Sequence, residues 1–136
     1  HELYRKLERE SVHRFLAGYS EKIPFKESLK KVWLNYLNHR ITYHAESVFL
    51  EQYYRSPYIS EPLKHIAESM KLPVHKIIRR GIEEGVLSPK LDERMVFLAM
   101  LGFIRELADE HVGGVYVLDN VKIESAFELS WNMIKA

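Results

Sequence analysis

Apolar residues recur at three- and four-residue intervals along almost the whole chain, the spacing of one face of an α-helix. From Glu2 to Tyr19 they form two stripes: Leu3, Tyr4 and Leu7, then Val12, Phe15, Leu16 and Tyr19. At about 100° per residue the second stripe is rotated by roughly a third of a turn from the first. A helix that changes its buried face midway serves two partners. The first stripe is read either as a face shared with an upstream domain or as ordinary exposed residues of a frayed terminus. On the first reading Leu3, Tyr4 and Leu7 are more exposed than the second stripe.

Pro24 breaks the pattern, and a second helix is predicted over 25–43. Phe25, Leu29, Val32, Trp33, Tyr36 and Tyr43 share its face, and Arg40 falls among them. A third helix over 45–54 aligns Ala45, Val48, Phe49, Gln52 and Tyr53, and Ser56-Pro57 ends it because the residue before a proline avoids the α region. Ser60 is a suitable N-cap for the next helix. Pro73 opens another at its first turn, where a missing N–H costs nothing, and Gly85 closes it. Asp92 starts a long helix that ends at Gly113-Gly114, and Asp119-Asn120 caps the last. The sum is six or seven helices, all-α, in one domain over 1–136. Val115-Tyr116-Val117 is β-prone but too short to make a sheet.

The run Met95–Ile104 is apolar on every side, unlike its amphipathic neighbours. Such a helix is expected to be buried all round. Either its own domain wraps it, or one face meets the core and the other meets a second chain.

Composition narrows the class. Of 136 residues, 46% are hydrophobic and 29% charged, as in a globular domain. Twenty Lys and Arg face nineteen Asp and Glu, a net charge of +1. A dedicated nucleic-acid domain carries a clear basic excess, so any DNA binding is expected from another segment. Cysteine is absent, which suits a cytoplasmic protein. The charged opening HELYRKLERE is no signal peptide, and the longest apolar run is too short for a bilayer, which needs about 20 residues.

Trp33 through Pro57, with Phe49-Leu50-Glu51-Gln52-Tyr53 and Ser56-Pro57, resembles the C-terminal domain of tetracycline-repressor-like (TetR/AcrR-type) regulators. So do Glu2-Leu3-Tyr4, Gly81-Ile82-Glu83-Glu84-Gly85, the Gly102–His111 stretch and the Trp131 helix, in that order. The resemblance implies a helical domain with a small-molecule pocket. It implies a four-helix dimer interface from the last two long helices, here 92–112 and 120–135. The candidate interface residues are Met95, Leu98, Ala99, Gly102, Phe103, Phe127, Ser130, Trp131 and Ile134. It also implies DNA binding through an N-terminal three-helix headpiece, expected to be missing from this chain.

Enzyme and metal signatures are not found. The seven histidines (His1, His13, His39, His44, His65, His75 and His111) make no H-E-x-x-H spacing. His39 and His44 are five apart, on different faces. There is no nucleophile elbow, phosphate loop or dinucleotide fingerprint. The adjacent pairs Glu83-Glu84 and Asp109-Glu110 read as solvated faces. The expectation is a non-enzyme that needs no cofactor or metal.

The aromatics are the better lead. Trp33, Tyr36, Tyr43, Phe49, Tyr53 and Phe103, with Gln52 as a polar contact, are candidate walls of a pocket between helices 25–43, 45–54, 73–84 and 92–111. The alternative is plain core packing. Arg40 on an apolar stripe needs a partner, because an unpaired buried charge is costly. It either makes a structural ion pair, with Glu46 or Glu51, or contacts a ligand. The expected protein is a homodimeric domain that senses a small apolar or amphipathic effector. The rival is a helical interaction module with a solid core, and a helical-bundle enzyme is a remote third. A cavity of about 300 Å³ or more would favour the sensor.

Overall fold

The computed structural model describes residues 2–136; His1 lies outside them. Among the described residues there are seven helices: α1 Glu2–Phe15, α2 Phe25–Thr42, α3 His44–Arg55, α4 Glu61–Met70, α5 Leu72–Glu83, α6 Glu93–Val112 and α7 Asn120–Ile134. The fold is all-helical, as the periodicity predicts. Val115–Val117 lies in an exposed loop.

Helix ends follow from side-chain chemistry. Ser60, Asp92 and Asp119 sit in extended backbone, and each side-chain oxygen accepts an N–H three residues on, from Leu63 (3.2 Å), Met95 (2.7 Å) and Lys122 (2.8 Å). These bonds satisfy donors that a helix start would otherwise leave free. Gly85 takes φ +75°, and the N–H of Val86 then donates to the Gly81 carbonyl at 3.0 Å. Gly81 itself serves close packing: a Cβ there would lie 2.5 Å from Phe25 Cζ and 2.8 Å from Leu87 Cδ1.

Two cores result. The larger joins α2, α5, α6 and α7 around Leu29, Trp33, Leu37, Ile78, Val96, Ile104 and Phe127. At its centre the Trp33 ring meets Phe127 edge-on at 5.7 Å, and its Nε1–H donates to Ser130 Oγ at 3.1 Å. The smaller joins α1, α3 and α4 through Tyr4, Leu50, Leu63 and Ala67, with Ile59 from the α3–α4 connection.

The second core corrects one expectation. Tyr4, from the stripe predicted to be exposed, is only 1% exposed. Leu7 packs beside it, and only Leu3 is open, at 50%. Val12, Phe15, Leu16 and Tyr19 are half-buried. The rotation between the stripes is real, but both partners lie within this chain. Tyr4 packs on α3 and α4, while Phe15 stacks on Tyr36 of α2 at 3.7 Å. Asn35 fastens the α1 C-terminus by donating to the carbonyls of Phe15 (3.1 Å) and Ala17 (2.8 Å). Tyr4 and Leu7 therefore need no upstream partner, and only Leu3 of this stripe stays open.

A second expectation is modified. Within one protomer α6 is not buried all round. Val96, Phe97, Met100, Leu101 and Ile104 face inward, while Met95 and Leu98 are more than half exposed, and Ala99 and Gly102 are exposed beside them.

Candidate functional site

A cavity of about 170 Å³ lies where the two cores meet. Glu8, Ser11 and Phe15 line it from α1, and Tyr36, His39 and Arg40 from α2. From α3 come Ser47, Leu50, Glu51, Tyr54 and Arg55; Glu68 and Lys71 close the end of α4. The long wall is α6, with Arg94, Phe97, Leu98, Leu101, Ile104 and Arg105. The spacing explains the wall: 94, 98, 101 and 105 fall on one helical stripe. α1 does the same with 8, 11 and 15. The lining is apolar along α6 and charged at both ends.

At one end Arg40 is held on two sides. Its Nε and an Nη donate to Asp109 Oδ1 and Oδ2 at 2.9 and 3.0 Å, and its other Nη donates to Glu51 at 2.9 Å. Burial alone would lower the Arg40 pKa, but these bonds raise it. Burial alone would raise Asp109, yet the hydrogen bonds of Arg40 and His44 hold its carboxyl below the usual range. His44 Nε2 sits 2.9 Å from Asp109 Oδ1. Of the partners expected for Arg40, Glu51 is found and Glu46 is not. Asp109 is the unexpected one, since the pair Asp109-Glu110 read as a solvated face.

The other polar groups are placed more tightly. Ser11 donates to the Leu7 carbonyl at 2.8 Å, so His39 Nε2–H, 3.1 Å away, is the donor to Ser11 Oγ. His39 is buried, and burial with the nearby Arg14 charge pushes its pKa down to about 4. It is therefore neutral at pH 7, and its Nδ1 has no partner. The hydroxyl of Ser47, also buried, has none either. Burial pushes the Glu8 carboxyl up against the opposing pull of Lys71, Tyr4 and Arg105. At the far end Glu68 accepts from Tyr54 and, at 3.4 Å, from Arg94. Burial would raise Glu68, but Tyr54, Lys71 and Arg94 hold it low.

The predicted pocket residues separate. Tyr36 and Arg40 line the cavity. Trp33 belongs to the larger core and borders only a gap of about 20 Å³ beside α5. Tyr43 is on the surface, under the guanidinium of Arg14 at 4.0 Å and beside His39. Phe49 and Gln52 are exposed; Tyr53 is half-buried against Tyr4; Phe103 packs half-buried on the larger core. α1 takes the place expected for 73–84, because Pro24 ends the turn that folds α1 back along α2. Sequence reasoning missed Glu8, Ser11, His39, Ser47 and Arg105. Their signal was polar residues at helical spacing opposite the apolar stripes, visible only once the partner helix is known.

The predicted interface residues also separate. Met95, Leu98, Ala99 and Gly102 are exposed on α6. Phe127, Ser130 and Ile134 are buried in the protomer's own core, and Phe103 and Trp131 are half-buried against it. α7 shows solvent Val121, Leu129 and Met133 instead. A broad apolar strip on α6 and α7 is thus left open. Among the described residues no helix is long and apolar enough to cross a membrane.

A seven-helix domain with a cavity between α1, α3 and α6 and an open apolar α6–α7 face defines a class of helical domain, and comparisons narrow it. Residues 24–135 match the family described as "Tetracyclin repressor-like, C-terminal domain". The chain belongs to this family of transcriptional regulators. It is similar to a TetR family protein from Vibrio parahaemolyticus (TM-score 0.84, 26% identity), covering 99% of this chain and 73% of that one. A TetR family transcription regulator from Marinobacter aquaeolei VT8 superposes with TM-score 0.86 at 16% identity, over 98% and 70% of the two chains. A tetR family chain from Shewanella sp. PV-4 gives 0.75 at 18%, over 99% and 72%. The last two likenesses bear on the fold alone. No curated protein matches.

Proposed function

We propose that this chain is the effector-sensing and dimerising domain of a TetR-type regulator, in which a small molecule in the α1–α3–α6 cavity controls operator binding by a separate DNA-binding headpiece. The observation that carries the reading is the shared wall. α6 lines the cavity with Leu98 and Leu101 and presents Met95, Leu98, Ala99 and Gly102 to solvent. A ligand that shifts α6 therefore shifts the surface on which a second subunit would pack. Two-fold packing through α6 and α7 buries the same patch on both copies. The net charge of +1 fits DNA contact through other residues.

One observation favours the rival, a scaffold without ligand: the cavity, at about 170 Å³, is smaller than the roughly 300 Å³ at which most ligand pockets begin. It is nevertheless similar to an apolar cavity of about 150 Å³ that accepts benzene. Sedimentation equilibrium and thermal-shift screening with small amphipathic compounds test the proposal together. A dimer at micromolar concentration whose Tm rises with ligand supports it. A dimer indifferent to every compound supports the scaffold, and a monomer refutes the dimerising role.

A further inference from the structure

The three acids in the cavity wall already have protein partners. Glu51 takes Arg40, Glu68 takes Tyr54 and Arg94, and Glu8 is buried beside Tyr4, whose hydroxyl bonds to it. The cations are less evenly matched. Arg40 is held by Asp109 and Glu51 and Arg94 by Glu68, while Lys71 lies over the Tyr54 ring and Arg55 is exposed. Arg105, half-buried in the same wall, forms no ion pair with any described residue. Glu51, which is engaged by Arg40, and the buried Glu8 attract it from a distance, while the like charges of Arg40 and Arg55 oppose it. A half-buried guanidinium with no carboxylate within ion-pair distance is stabilised by any further negative charge that reaches it.

A second observation lies in the same wall. Ser47, more than nine-tenths buried on α3, has a hydroxyl with no hydrogen-bond partner. In a helix such a hydroxyl ordinarily bonds back to a carbonyl one turn earlier. Here it is an unused donor in the wall of the same cavity as Arg105. The apolar stretch of α6 leads away from this end: Leu101, Leu98 and Phe97 separate Arg105 from the Arg94–Glu68 pair, about 16 Å along the helix.

We propose that the cavity takes a small amphipathic carboxylate, its anionic group held by the Arg105 guanidinium and the Ser47 hydroxyl and its apolar body lying along Leu98, Leu101 and Ile104. This rests on the effector-pocket reading above. The planar guanidinium grips a carboxylate with two parallel N–H donors, which an amide of the same shape cannot match in charge. The cavity volume limits the apolar body to about the size of one six-membered ring. His39 Nδ1 is an acceptor and takes no part in holding the anion.

The test is titration of the chain with acid and amide pairs, benzoate with benzamide and hexanoate with hexanamide, with the neutral hexanol as a third probe. Binding is followed by NMR shifts of the leucine and isoleucine methyl groups. The acids are expected to bind about tenfold tighter than their amides, or more. Arg105→Gln is expected to abolish that preference while leaving amide and hexanol binding within about twofold. Arg105→Lys, which keeps the charge, guards against a folding defect and should retain part of it. Equal binding of acids and amides to the unaltered chain would overturn the carboxylate proposal and leave the pocket standing. A preference that survives in Arg105→Gln would overturn the role of Arg105. Failure of all five probes to bind would remove the pocket reading and this inference with it.

Discussion

Arg40 and Asp109, 69 residues apart in sequence, meet through two parallel hydrogen bonds of 2.9 and 3.0 Å and so tie α2 to the C-terminal half of α6. With Glu51 the pair also draws in α3. Arg40 is thus neutralised by the protein. Replacing it by methionine should cost about 2 kcal/mol in urea denaturation. That figure sits below the range for fully buried pairs because Asp109 is 39% exposed. The selectivity between acids and amides should survive only if Arg105 stays free of Glu51.

The neutral state of His39 makes stability depend on pH. Its pKa is about 4 in the folded chain and about 6.5 when unfolded. Below pH 6.5 the unfolded chain gains a proton that the folded chain refuses, so stability falls from pH 6.5 toward 4 and is constant above 7. The loss is about 3 kcal/mol at its full extent. His39→Gln should flatten the curve between pH 6.5 and 5 in chemical denaturation, and an unchanged slope would refute the assignment. Asp109 adds a separate loss below about pH 4, since its pKa is depressed and its pairing disappears on protonation.

The two ends of the first stripe should respond differently. Tyr4→Ala should destabilise by about 3–5 kcal/mol, as for a large core aromatic, whereas Leu3→Ala should change stability by less than about 0.5 kcal/mol. Urea midpoints for the two variants check this directly.

Charge placed on the outer strip should act on assembly, and charge placed on the inner face of α7 should act on folding. Leu98→Glu or Leu129→Glu, both at sites 54% exposed, should halve the mass in sedimentation while the helical circular dichroism is kept. Phe127→Glu should instead give unfolded or insoluble protein, because an unpaired charge would enter the core.

Gly81→Ala should cost about 1–3 kcal/mol, since the added methyl must displace Phe25 and Leu87. A thermal melt that shows no loss would mean the α2–α5 contact has more room than its distances imply.

What the sequence determined by itself is local. Helical spacing, proline and glycine breaks and the capping residues Ser60, Asp92 and Asp119 marked out six or seven helices, of which the structure has seven, because those signals act within a turn or two of chain. The ordered motifs from Trp33 to the Trp131 helix carried the family. The pocket and the outer strip were decided only by tertiary structure. Tyr4 and Leu98 show why. Tyr4 looked orphaned because its partners, Leu50 and Leu63, lie more than forty positions away. Leu98 looked like core because periodicity cannot say which side of an all-apolar helix the neighbours cover. Likewise Arg40 and Arg105 are the same residue type on similar stripes. Asp109 and Glu51 converge on the first and no described carboxylate pairs with the second. Which charge is neutralised and which is not depends on how α2, α3 and α6 cross, and the position of those crossings is set by packing between helices, not by the pattern within any one of them.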